Sequence, residues 1–165
     1  MKHTLWLAIA FLLAACQAQT PSEKITIVDG EKFLSLPATS RIPAEILAEN
    51  GMPLAPLDHF FVNGQIADPK TPLDCDNCVL QIRRAITMTL ITPDGEHTLV
   101  TAASTIGEAL NEFGIQLYTA DFVDPPVGTE ATDQLSITYR PSRPLAIRVD
   151  GKIVHIRSSA ETVGE

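Results

Sequence analysis

Positive charge is scarce in this sequence: twelve Lys and Arg stand against twenty Asp and Glu, for a formal net charge of −8 over 165 residues. That balance argues against a nucleic-acid partner, because phosphate contacts need Lys and Arg clustered on one face. Aromatic residues make up only 5 %, which leaves few platforms on which bases or sugars could stack. Three cysteines are too few for a dense disulfide scaffold. No apolar run reaches the roughly 20 residues that a spanning helix needs. What is there is 45 % hydrophobic and only 19 % charged, enough apolar matter for one ordinary domain or two small ones, and too much for wholesale disorder.

The longest apolar run comes first. Lys2 gives a positive start, and Leu5-Trp6-Leu7-Ala8-Ile9-Ala10-Phe11-Leu12 follows without a break. This is the size of a secretory signal, not of a membrane span. It leads into Leu13-Ala14-Ala15-Cys16, which closely resembles the bacterial lipobox. The resemblance implies that residues 1–15 are a lipoprotein signal peptide and that the Cys16 thiol carries the lipid. It also implies a cell-envelope protein held to the outer face of a bacterial membrane, extracytoplasmic, with the membrane as its first partner. Gln17 is not the Asp associated with inner-membrane retention, so in a two-membrane bacterium the choice of membrane stays open. Residues 16–24 are polar and aperiodic, and read as a tether.

The rest is organised by a repeat. Asp-Gly stands at Asp29-Gly30, Asp94-Gly95 and Asp150-Gly151, each time between alternating apolar residues, the strongest short-range signal for a β-hairpin. A helix follows. Ile106, Ala109, Leu110 and Phe113 form one apolar stripe, Thr105 and Glu108 form a capping box, and Gly114 closes the helix. In the first unit Pro43 suits the first helical turn, Ile46 and Leu47 face inward, and Gly51 closes. Gly51 precedes Asp58 by the same spacing that separates Gly114 from Asp121. A last strand is expected at residues 78–82 and again at 134–139. The expected architecture is α+β: tandem small units of hairpin, helix and strand, over residues 25–84 and 85–140. A third unit over 144–165 is truncated, since residues 161–165 match 104–108 and reach only the first turn of a helix. The sequence therefore reads as an N-terminal piece of a longer protein.

The run Thr105-Ile106-Gly107-Glu108-Ala109-Leu110-Asn111-Glu112-Phe113-Gly114-Ile115-Gln116-Leu117, with Asp121 behind it, resembles a known family. It is similar to the ubiquitin-like repeat of unknown function found in resuscitation-promoting factors and YabE-type bacterial wall proteins. The likeness is close over 86–139, good over 145–165 and loose over 25–84. It implies β-grasp units in tandem between a membrane anchor and distal wall-acting modules. Peptidoglycan or wall-associated proteins would then be the further partners. It implies no catalytic residue.

Chemistry-bearing residues are few. Cys75-Asp76-Asn77-Cys78 lies in a loop that is about eight residues longer in the first unit. Outside the cytoplasm such a pair is expected to oxidise, and a structural Cys75–Cys78 disulfide is the leading reading. A redox site is disfavoured because Asp74 and Asp76 raise the thiol pKa. Zinc would need two further ligands, with His59 a lone candidate. Glu108 and Glu112 have helical spacing, but Glu108 reads as a cap and Glu112 as solvent-facing, not as a hydrolase pair. His97 and His155 read as surface strand residues. The acidic stretch from Asp121 to Asp133 lacks the alternation of a calcium loop. No cofactor, metal or catalytic residue is expected. Three functions stay open: a non-catalytic stalk or spacer, the N-terminal part of a peptidoglycan hydrolase, and a glycan- or protein-binding module.

Overall fold

A computed structural model describes residues 24–162, so the signal region, Cys16 and residues 163–165 lie outside the described residues. The first unit opens with β1 (Lys24–Asp29) and β2 (Lys32–Pro37), antiparallel, with Asp29 opposite Lys32. Alternation along β1 sends Ile25 and Ile27 into the core. Helix α1 (Pro43–Glu49) has Pro43 in its first turn, where the missing N–H removes no intrahelical bond, and buries Ile46 and Leu47. Gly51 ends it at φ +71°, a left-handed conformation that only glycine adopts freely. Strands β3 (His59–Val62) and β4 (Gln65–Ile66) form a second hairpin, and β5 (Asn77–Arg83) then runs parallel to β1. The sheet order is β2-β1-β5-β3-β4.

The second unit repeats the plan with β6 (Ile86–Thr92), β7 (Gly95–Thr101), α2 (Ile106–Glu112), β8 (Phe122–Asp124) and β9 (Ser136–Arg140). Its order is β7-β6-β9-β8, again with the last strand parallel to the first. Met88, Leu90 and Leu99 hold the places that Ile25, Ile27 and Leu36 hold in the first unit, judged by strand register. Each unit encloses its own core, one helix gripped by one sheet. The whole is a mixed α+β fold whose small sheets are compatible with repeated β-grasp-like units. A third hairpin, β10 (Arg143–Val149) and β11 (Lys152–Ser158), pairs only with itself.

Several expectations need correction. Asp-Gly occupies the two central turn positions only in the third hairpin, where Asp150 and Gly151 both have positive φ and Val149 faces Lys152. In the first hairpin the central pair is Gly30-Glu31, and in the second it is Pro93-Asp94, so the dipeptide marks the turn without fixing its phase. The stretches between each helix and its last strand contain β3, β4 and β8, which the plan of hairpin, helix and strand leaves out. The signal for the first two was Asn63-Gly64 between Phe61 and Ile66, whose residues both take positive φ. Phe113 is not a core residue. It is the C-cap of α2, next to Gly114 at φ +88°, where the chain turns away, and stays 49 % exposed. Leu110, one turn earlier, is fully buried as expected.

The acidic stretch after Asp121 is also not a free loop. Its Val127 carbonyl accepts from Gly107 N–H and its Thr129 carbonyl from Ile106 N–H, satisfying donors that the first turn of α2 leaves open. Pro69 does the same for Ala44 at the start of α1.

Candidate functional site

Side-chain hydrogen bonds converge where one unit hands the chain to the next. Between β5 and β6 there are only Arg84 and Ala85; between β9 and β10 only Pro141 and Ser142. At each junction one aspartate is set by the same small turn. Asp58 N–H donates to Ala55 C=O at 3.1 Å while Ala55 N–H donates to Asp58 Oδ2 at 2.9 Å. Asp121 N–H donates to Tyr118 C=O at 2.9 Å while Tyr118 N–H donates to Asp121 Oδ2 at 2.8 Å. The other carboxylate oxygen then accepts the linker: Ala85 N–H reaches Asp58 Oδ1 at 2.9 Å, and Ser142 N–H reaches Asp121 Oδ1 at 2.7 Å. The equal spacing from Gly51 and Gly114 is thus one device used twice.

A cation closes each junction differently. Arg84 donates from Nη1 to Asp58 Oδ2 and from Nη2 to Asp29 Oδ2, both at 2.7 Å, and from Nε to Asp29 Oδ1 at 3.0 Å. This ties the linker to the end of β1 as well as to Asp58, whose side chain is only 3 % exposed. At the second junction Ser142 adds its hydroxyl to Asp121 Oδ1. Arg157 of β11 donates to the Ser142 hydroxyl and carbonyl while lying over the Tyr118 ring, 4.0 Å from its centroid. Such charge-assisted bonds are the strong ones in proteins.

Burial pushes the carboxyl of Asp58 up, but the N–H groups of Ala85 and Ala55 and the Arg84 guanidinium outweigh it and hold its pKa below the usual value. Asp121 is likewise pushed up by burial and brought below its usual value by Ser142 and the Tyr118 N–H. Tyr139 is raised, by burial first and then by the neighbouring Asp121 charge. Both aspartates are therefore ionised acceptors at neutral pH.

The residues singled out from sequence lie elsewhere. Cys75 and Cys78 are joined, with Cα atoms 5.6 Å apart, and Cys78 sits in the first core. Thr105 and Glu108 form the cap: Glu108 N–H donates to Thr105 Oγ1, while the Glu108 carboxylate takes Ser104 N–H at 2.8 Å, one residue before the position a capping box uses. Glu112 is not simply solvent-facing. One oxygen accepts from Thr101 Oγ1 and the other lies 3.6 Å from His59 Nε2, across the first junction. His97 lies near the Phe113 ring, and His155 is exposed on β11. Among the described residues no group of three His, Cys, Asp or Glu could hold a metal ion, and no helix is long and apolar enough to cross a membrane.

Residues 91–128 match the family described as the G5-linked ubiquitin-like domain, DUF348. That stretch runs from the end of β6 past β8, and so includes the helix cap and Asp121. No curated protein matches the chain.

Sequence reasoning missed the junctions. The signal was present in the equal spacing to Asp58 and Asp121, but spacing alone does not say which backbone groups a carboxylate will meet. Arg84 had no signal, since its partners Asp29 and Asp58 are brought to it by the fold.

Proposed function

We propose that this chain is a non-catalytic, lipid-anchored module of the bacterial cell envelope, in which β-grasp-like units act as a stiff spacer for wall-acting modules. The observation that carries the reading is the repeated clamp: Asp58 and Asp121 each fix a two-residue linker by its backbone N–H. A binding domain has no need of rigid joints on both sides, whereas a spacer of small repeats does, because its reach is set by how each unit sits on its neighbour. Two further features support it. The matched family is described as linked to G5 domains, in keeping with a connecting role. The sequence Leu13-Ala14-Ala15-Cys16, just ahead of the repeats, resembles a lipidation site.

The test is fractionation of cells that express the chain. The intact protein should sediment with membranes and be cut by protease added outside spheroplasts, and Cys16→Ser should move it to the soluble fraction. Recovery of the intact protein in the cytosol, protected from protease, would overturn the proposal.

A further inference from the structure

Strands β2 and β7 hold the same place in their units, each at one end of its sheet. Such an edge leaves backbone N–H and C=O groups open to another strand. The β2 edge is guarded, with Lys32 at its start and Pro37 at its end, two residue types that deter strand addition. The opposite edges, β4 and β8, are only two and three residues long. β7 runs for seven residues with neither Lys nor Pro.

A second, independent feature lies beside that edge. A recess of about 260 Å³ opens between β7 and α2, lined by the buried Leu99 and Ala109 and bordered by Val100, Phe113 and Leu57 of the first unit. These last three side chains are all about half exposed. An unpaired edge with an apolar recess alongside suits an extended peptide, since the ladder bonds give affinity and the recess takes its alternate side chains. Charge narrows the choice. Neither β7 nor α2 has a Lys or Arg. Glu96 is exposed near the start of β7, and Glu112, 40 % exposed, accepts from Thr101 at its end. The Arg83 guanidinium, beyond that end, lies over the Phe61 ring and against the Ala102 carbonyl.

We infer that the β7 edge and the recess against α2 form a docking strip for an extended peptide segment of another protein, aliphatic at alternate positions and basic at both ends. A second copy of this chain is a poorer occupant, because it would bring the same acidic strip and a net charge of −8 to the contact. The inference goes beyond the spacer reading, and its failure would leave the clamps of the two units untouched.

The test titrates the full chain into a fluorescein-labelled peptide with blocked ends, Arg-Thr-Val-Thr-Val-Thr-Arg, and follows anisotropy and amide hydrogen exchange. Binding should saturate, and the β7 amides should slow by roughly tenfold or more, as in an edge strand that gains a partner. The β2 amides should keep their rates. Replacing both Arg of the peptide by Glu sets like charges against Glu96 and Glu112, and should weaken binding by roughly tenfold or more. Val100→Lys, which places a guard at a half-exposed position, should weaken it as much while β6 protection holds. Phe33→Lys on β2 should leave the affinity as it was. No saturable binding, an equal loss from Phe33→Lys, or a free chain that dimerises and protects β7 would each overturn the inference.

Discussion

The Asp121 carboxylate accepts the backbone N–H of Ser142 at 2.7 Å, across the boundary between the second unit and the third hairpin. Asp58 and Ala85 stand in the same relationship at 2.9 Å one unit earlier. In both, the bond to the linker is made by a backbone N–H, so Ala can stand at that position in the first junction, while Ser142 adds its hydroxyl to the same carboxylate in the second.

The clamps are acid-labile by construction. Both carboxyls titrate below their usual value in the folded protein, so their stabilisation is complete above the unfolded value of about 3.9 and is lost as pH falls through the lower folded one. Asp121→Asn keeps the size, removes the charge and sets an amide NH2 against one of the N–H donors of Tyr118 and Ser142, and should cost about 1–3 kcal/mol at pH 7. Urea midpoints of the two proteins should converge between pH 4 and pH 2, by roughly the same amount. A difference that stays constant on acidification would show that Asp121 acts through packing, not through charge.

Arg84 bridges Asp29 and Asp58 while 38 % of its own side chain stays exposed. Arg84→Met should therefore cost about 2–3 kcal/mol, below the range for a fully buried broken pair. Lys cannot supply the forked contact to both Asp29 oxygens, so Arg84→Lys should recover only part of the loss. Full recovery by Lys would mean that one point charge suffices.

The helix stripe makes a sharper contrast than its periodicity implies. Leu110→Ala should cost about 2–5 kcal/mol through lost burial and a cavity, since the side chain is fully enclosed. Phe113→Ala, at 49 % exposure, should cost much less, about 1 kcal/mol. Equal losses from the two would place the end of α2 wrongly.

For the cysteines, mass spectrometry of the protein purified without reductant should show Cys75 joined to Cys78, and replacing both should cost about 1–3 kcal/mol, because the closed loop is so short. A free thiol pair in that preparation would count against a structural role.

These contrasts mark how far the sequence can be read. Ile25, Ile27, Met88 and Leu90 announce themselves by alternation, and Ile106, Ala109 and Leu110 by helical spacing, because burial on one face imposes a period. Strands β3 and β8 carry no such period: each is too short, and one side leans on the last strand of its own sheet. Phe113 fits the period but is the C-cap, the last position before the chain turns away at Gly114, and stays half exposed. The junctions were legible only as a matched spacing, since the linker donors that Asp58 and Asp121 accept are backbone N–H groups, which look alike in every residue.

The account rests on stiff joints between units, and the most direct measurement is a distance distribution between spin labels at Lys32 and Asn111, one in each of the first two units. Both positions are exposed, so labels there leave the cores intact. With the clamps in place the distribution should be single and narrow, and Asp58→Asn combined with Arg84→Met should broaden it while each unit keeps its own amide protection. A broad distribution in the unaltered protein, no narrower than in the double variant, would contradict the spacer.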